Sequence, residues 1–428
     1  MKRLFTVVAG HALCGWLLAM TPGAWADEAL TLDEAVTRAV ERQPLLQSLD
    51  AAAAAAREAA VAEGQLPDPK LKLGVQNLPA TGSNAFRLNR EDMTMATVGV
   101  MQEVIPLQKR EASARRMEAE AGQLHAEQVA LARSIQRDVA LAWLDVYEAQ
   151  RKSELYRRMA DEMAAERTVA AARISSGGAA TADVLRLDTL LAMTNDKRLA
   201  AQRDERKARA LLARWIGDAA TWSLPQALPA IALAAKRDQA AGELERHPAL
   251  ENARQEENVA QSEAESAKLE RQQNWSWEVM YGKRQGDRSD MVTLQVALDL
   301  PWDRANRQDR RTAGKLALVE KAHNLTEDRR RILQAEADSA WADWDSIEAR
   351  EAEHQKRLIP ATDARLDLAQ AGYAAGRQPL AEVWEARRAV VEVELEHWAI
   401  LIDRQRAAVR LGYLLNGNGL PVASGSAP

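Results

Sequence analysis

From about Gln108 to Ile174 the sequence reads as one uninterrupted helix, and that feature constrains the fold more than any other. At 1.5 Å per residue, ~67 residues reach ~100 Å, well beyond the diameter of a small domain. Such a helix needs partners along its whole course. Its buried seam is visible in Ile135, Val139, Ala142, Val146 and Ala149, spaced 4-3-4-3 as in a coiled coil. A second stretch, about Arg304 to Tyr373, carries Leu333, Ala337, Ala340, Trp344 and Ile347 at the same spacing. Aromatic residues make up only 4% of the chain and charged residues 28%, which suits long helices packed through small residues better than a core of large side chains.

The two stretches belong to a larger internal repeat with a period of about 200 residues. Glu41-Arg42-Gln43-Pro44 answers to Glu245-Arg246-His247-Pro248, and Val104-Ile105-Pro106-Leu107 to Asp299-Leu300-Pro301-Trp302. Ala142-Trp143 answers to Ala340-Trp341, Gly178 with Asp183-Val184 to Gly376 with Glu382-Val383, and Trp215-Ile216-Gly217 to Leu415-Asn416-Gly417. Chance similarity of Ala-rich helices does not keep Pro, Gly and Trp landmarks in one order. Each unit reads as a helix, two short strands, the long helix, a Gly-containing turn and a return helix. The first helix is expected over about Leu32 to Gly64, with Thr31 and Glu34 as a capping box. Its counterpart is expected over about Gln239 to Gln273.

The strands are expected at about Lys70 to Leu78, Met93 to Ile105, Trp275 to Lys283 and Met291 to Leu300. Val292, Leu294, Val296, Leu298 and Leu300 alternate with Thr293, Gln295, Ala297 and Asp299, and Leu71, Leu73 and Val75 alternate with Lys70, Lys72, Gly74 and Gln76. Trp275, Trp277, Val279 and Tyr281 alternate with Ser276, Glu278 and Met280. Strands of this length, apolar on one face, suit a membrane barrel as well as a half-buried soluble sheet. Four strands cannot close a barrel alone, so a membrane reading requires several protomers to share one. No segment after the N-terminus has the ~18 consecutive apolar residues of a spanning helix, which leaves a closed barrel as the route across a membrane.

At the N-terminus, Lys2 and Arg3 precede an apolar run from about Leu4 to Met20, and Ala24-Trp25-Ala26 supplies a cleavage site. This reads as a secretory signal peptide, residues 1–26, rather than an anchor. Its removal takes the net charge from −5 to about −7. The only cysteine, Cys14, leaves with it, and His11-Ala12-Leu13 before it form no lipobox. Interspersed acids and bases with a negative balance argue against a nucleic-acid partner. No P-loop, nucleophile elbow, zinc-protease or dinucleotide motif occurs, so no enzyme and no cofactor is expected.

Two hairpins, two ~100 Å helices and a two-fold repeat resemble the TolC-type outer-membrane factors over essentially the whole mature chain. The motifs that carry the resemblance are Leu30-Thr31-Leu32-Asp33-Glu34-Ala35, Gly178 followed by Asp183-Val184, Tyr373 with Gly376, and Ile216-Gly217. Within that family the chain is most similar to the CzcC/CusC-like heavy-metal branch, through Asn77-Leu78-Pro79, Gln102 with Ile105-Pro106-Leu107 and Lys109-Arg110, and Leu300-Pro301 with Ala305 to Arg310. Many members of that branch are lipidated at the mature N-terminus, and here this chain departs from them.

The resemblance implies a mainly α fold with a small β part. It implies a homotrimer whose helices form a tunnel and whose strands form a 12-stranded barrel in outer-membrane lipid. The implied partners are a periplasmic adaptor and an inner-membrane pump of the resistance-nodulation-division type. The chain then divides into the leader, a first repeat at 27–217 (hairpin about 70–105, periplasmic turn about 175–182), an equatorial connector at 218–238, a second repeat at 239–417 (hairpin about 275–300, turn about 374–379) and a tail at 418–428. The family's gate maps onto Glu382 and Glu385, three apart on one helix face, which would form acidic rings in a trimer. Asp183, Tyr373 and, one residue earlier than the family pattern, Arg377 map onto the links that hold the gate shut. A solvated helix end explains the same residues without a gate, since Asp183 also suits a helix N-terminus.

The implied function is passive conduction of substrate, heavy-metal cations such as copper, to the exterior. Drugs or other small organic molecules are the alternative cargo. A periplasmic adaptor or a helical scaffold is the alternative role. No stored metal site is expected: His125, His247, His323, His354 and His397 have no His or Cys neighbour at ligand spacing. Met93, Met95 and Met101 read as wall residues of a barrel strand, with Met93 and Met95 as soft copper contacts the second reading.

Overall fold

The computed structural model describes residues 29–174, 181–233 and 236–415. The leader with Cys14, turn residues 175–180 and residues 416–428 lie outside the described residues. The chain runs α1 (Leu32–Arg42), α2 (Pro44–Glu63), β1 (Lys70–Gln76), β2 (Met95–Val104), α3 (Leu107–Ile174) and α4 (Thr181–Ile216). It continues through α5 (Ala240–Leu244), α6 (Pro248–Leu269), β3 (Trp275–Arg284), β4 (Met291–Leu298), α7 (Gln308–Glu353), α8 (Ile359–Ala374) and α9 (Leu380–Leu415).

Three expected helices are divided, and a proline stands at each break. The Thr31 hydroxyl caps α1 by accepting from the Glu34 N–H at 3.2 Å, but α1 ends at Arg42 because Pro44 has no N–H to donate. Pro44 instead starts α2, the position it favours. The expected helix over 239–273 likewise becomes the short α5 and, from Pro248, α6. The first long helix spans 68 residues as one piece. The second does not: a π turn at His354–Leu358 separates α7 from α8. Pro360, two residues past its end, cannot donate to the carbonyl one turn back, so the helix widens there and Ile359 N–H reaches back to the His354 carbonyl.

The strands form one antiparallel sheet in the order β1-β2-β3-β4. The two hairpins are joined by the β2–β3 pairing, which runs from Met95 opposite Arg284 to Val104 opposite Trp275. Among the described residues no strand pairs with the outer edges of β1 and β4. The main core lies at the middle of the helical body. There Trp143, Leu144, Val146 and Tyr147 of α3 are buried against Leu32, Ala35 and Ala39 of α1, Leu212 and Ile216 of α4, and Ile402 and Val409 of α9. The segment after α4 closes over this core. Leu30 N–H donates to the Ser223 carbonyl (2.7 Å), Tyr147 Oη to the Gln226 carbonyl (2.8 Å), and Ile231 N–H to Gln405 Oε1 (2.9 Å).

Candidate functional site

Two regions concentrate features that core packing does not explain: the sheet and the far end of the helical body. In the sheet, alternation and register combine into two chemically distinct faces. Leu71, Leu73 and Val75 of β1 lie opposite Val100, Val98 and Ala96 of β2. Val98 and Val100 lie opposite Tyr281 and Val279 of β3, and those opposite Val292 and Leu294 of β4. Trp277 and Trp275 continue the row beside Val296 and Leu298. These side chains are exposed, up to 75% for Leu73 and 76% for Leu294. A soluble sheet would cover such a face.

The opposite face carries the polar side chains, with glycines and methionines among them. Lys72 pairs with Glu278 across Gly99, and Gln76, Thr97, Thr293 and Gln295 share that side. Where strands enter helices, Trp302 is 94% exposed and Leu300 68%. The loops 77–94 and 285–290 lie at the other end of the sheet, away from the helices. Among the described residues no helix is long and apolar enough to cross a membrane.

At the far end, α8 stops in a Schellman turn. Gly376 adopts φ 67°, its N–H donates to the Tyr373 carbonyl (2.9 Å), and the Arg377 N–H to the Gly372 carbonyl (2.9 Å). A side chain at Gly376 would be strained by that left-handed backbone. After Pro379, α9 buries Leu380, Val383, Trp384 and Ala386 against Met159 and Met163 of α3, Val184 and Leu187 of α4, and Ala369 of α8. That burial fixes the rotation of α9, so Glu382 and Glu385 fall together on its exposed face. Asp183 is half-buried in the first turn of α4, Tyr373 is half-buried against the same cluster, and Arg377 is exposed. The five expected gate residues thus collect at one end. Among the described residues, Asp183, Tyr373 and Arg377 form no hydrogen bond or ion pair with one another within the chain.

Trp384, which the sequence reading passed over, anchors this end. It is buried, with the Arg387 guanidinium 5.1 Å from its ring and Arg387 in turn 3.7 Å from Glu162 of α3. Its spacing from Leu380 and Val383 was the available signal. Among the described residues no cluster of three or more His, Cys, Asp or Glu could hold a metal ion.

No family model and no curated protein matches the chain. Solved structures do match its fold. A structure of CusC, described for its folding and transmembrane channel formation, superposes with a TM-score of 0.75 at 13% identity, covering 90% of this chain and 91% of that one. The CmeC outer membrane channel of Campylobacter jejuni gives 0.75 at 12% identity, covering 98% and 95%. The open-state MtrE outer membrane channel of Neisseria gonorrhoeae gives 0.73 at 17%, covering 90% and 88%. The chain has the fold of these channels.

Proposed function

We propose that this chain is the outer-membrane channel of a tripartite efflux system. Three copies, each an internally duplicated helix-and-hairpin unit, close their four-stranded sheets edge to edge into one 12-stranded barrel. Their helices continue it as a periplasmic tunnel. The observation that carries the reading is the sheet: one face apolar and exposed along its middle, with Gln102 and Lys283 toward its two ends, the other carrying most of the polar side chains, and both edges open. Lipid covers the first face, water fills the second, and neighbouring copies pair the edges, which removes three costs at once. An adaptor and an inner-membrane resistance-nodulation-division pump deliver substrate, and heavy-metal cations such as copper are the proposed cargo. The signal peptide carries the chain across the inner membrane, from where it reaches the outer membrane.

Glu382 and Glu385 form acidic rings at the tunnel's periplasmic mouth, where their shared exposure concentrates negative potential. Asp183, Tyr373 and Arg377 supply links between neighbouring turns. Single-channel recording in planar bilayers tests this, with a Glu382→Ala/Glu385→Ala double variant alongside. Small cation-selective steps are expected, with selectivity reduced severalfold or conductance raised in the variant. Equal behaviour moves the constriction elsewhere. Silence from folded wild-type protein defeats the channel.

A further inference from the structure

The sheet's inward face carries a chemistry that an aqueous pore wall does not require. The chain has eleven methionines, and among the described residues the four that lie on strands all fall on this face: Met95 and Met101 of β2, Met280 of β3 and Met291 of β4. Three of them gather around one glycine. Gly282 of β3 lies directly opposite Met291 of β4, and Met95 of β2 folds across it so closely that a Cβ there would collide with the Met95 sulfur. Met280 stands two residues earlier on the same face, its Cγ 2.9 Å from where a Gly99 Cβ would sit. Two glycines on neighbouring strands therefore each seat a thioether from the other strand. Directly opposed residues lie ~5 Å apart and diagonal ones ~7 Å, within the reach of a side chain with three rotatable bonds.

We infer that Met95, Met280 and Met291 form a thioether site on the pore wall for soft monovalent cations, Cu(I) or Ag(I). The inference rests on the channel reading only in taking this face as the lumen. Sulfur ligands without a free carboxylate select soft ions over zinc or cobalt, and Glu278, two residues before Met280 on the same face, is already paired with Lys72. The Gln76 amide N–H donating to Met280 Sδ at 3.2 Å shows that this sulfur's lone pairs face the polar side. Met291, 37% exposed, is free to swing onto an ion held by the buried Met95 and Met280. Coordination uses sulfur lone pairs and releases no proton, so occupancy is the same at pH 5.5 and pH 8. A histidine or carboxylate site weakens as its ligands protonate.

The test is equilibrium dialysis of the purified full-length protein in detergent against silver nitrate in chloride-free buffer, with bound metal measured by elemental analysis. About one silver ion per chain is expected, retained at both pH values, with zinc nitrate giving none. Met95→Leu/Met280→Leu/Met291→Leu should lower silver affinity at least ~10-fold, and Met291→Leu alone ~3-fold, since leucine keeps the volume and removes the sulfur. Met193→Leu, on the exposed face of α4, should change nothing. Should the triple variant fail to assemble, the single variant decides. Undiminished binding in the variants, equal zinc binding, loss at pH 5.5, or no silver on wild type overturns the inference. Conductance of the same preparations separates the two readings. Protein that conducts without binding silver keeps the channel and loses the site, and protein that binds silver without conducting does the reverse.

Discussion

The two long helices carry the same 4-3-4-3 stripe and occupy different environments. α3 is central. Beyond its stripe it buries Ala140, Trp143, Leu144 and Tyr147 completely or nearly so, because α1, α4, α9 and the segment after α4 surround its middle. The α7–α8 helix is peripheral. Leu333, Ala337, Ala340 and Ile347 of its stripe are buried, while Leu325, Ile332, Leu358 and Leu368 remain exposed. A heptad stripe specifies one contact along a helix. What makes a helix central is a second set of large buried side chains on another of its faces, and of the two helices α3 has it. In the proposed trimer, the apolar side chains left over on α7 and α8 are those available to a neighbouring copy.

The largest expected difference between the helices lies in their tryptophans. Trp143 is fully buried, stacked 5.5 Å from Tyr147, with its indole N–H donating to the Leu30 carbonyl at 3.0 Å. Trp143→Ala should cost about 4 kcal/mol. Trp341 is buried too, but it stands at the edge of a smaller cluster, with the Arg237 guanidinium 5.0 Å from its ring and, among the described residues, no partner for its N–H. Trp341→Ala should cost about 2 kcal/mol, because Arg237 can fold away and water can enter. Denaturant unfolding of the detergent-solubilised protein checks both, and equal losses would end the distinction between a central and a peripheral helix.

His247 sharpens the comparison at the helix that both long helices share, since it caps α6. It is buried edge-on to Tyr413 (4.9 Å), and its Nδ1 accepts the Ala249 N–H at 3.1 Å. Burial, reinforced by the Arg133 charge, pushes its pKa down to about 4. The unfolded histidine, near the ordinary 6.5, takes up a proton between pH 6.5 and 4 that the folded one refuses. Its contribution is therefore complete above pH 6.5 and lost as pH falls toward 4, by about 3 kcal/mol in total. His247→Asn keeps a capping acceptor and should flatten that part of the stability–pH curve. A curve of unchanged slope would assign the acid sensitivity to other groups.

Two arginines of α9 probe the helices from one side. Arg406 reaches Asp145 (2.5 Å) and Glu148 (2.6 Å) of α3, and Asp403 (2.9 Å), with only 17% of its side chain exposed. Burial opposes its charge, yet Glu148, Asp145 and Asp403 hold its pKa above the ordinary guanidinium value. Arg404 reaches Glu351 of α7, at 3.0 Å, and lies 5.4 Å from the Trp344 ring. Arg406→Gln should cost about 2 kcal/mol, less than a fully buried pair because its carboxylates remain partly solvated. Arg404→Gln should cost about 1 kcal/mol. Thermal melts at low and high salt check the order, and the Arg406 effect should shrink in salt.

Much of this architecture was legible in the chain. Strand alternation located all four strands, because a sheet with one apolar face writes its period into consecutive residues. The Thr31–Glu34 cap and the 4-3-4-3 stripes were equally local signals. Trp143 and Tyr147 were not recognised as core, since their burial depends on which elements wrap α3, and no spacing within α3 encodes that. The same limit applies to the thioethers: Met95 and Met101 stood out in sequence, but their kinship with Met280 and Met291 exists only through the β2–β3–β4 register. Met93, grouped with them by proximity, lies in the loop before β2 and is half exposed. At the far end, the three-residue spacing put Glu382 and Glu385 on one face, while Trp384, which sets the rotation of that face, went unnoticed between them.

The smallest expected effect concerns Pro360, the residue that most plainly separates the two helices. α3 has no proline in its 68 residues and no π turn. If Pro360 causes the widening at His354–Leu358, Pro360→Ala restores the missing donor and removes the ring from the preceding carbonyl. The helix should then close to regular α geometry, with a gain of about 1 kcal/mol, less than the full ~3 kcal/mol proline penalty because the π turn already relieves part of it. Amide exchange at 354–360 should slow about tenfold. If exchange stays fast and stability is unchanged, the π turn is set by packing against α9, where His354 lies stacked 6.3 Å from His397. The departure of the second helix from the first would then come from its neighbours, as the burial of Trp143 does, and owe nothing to a local breaker.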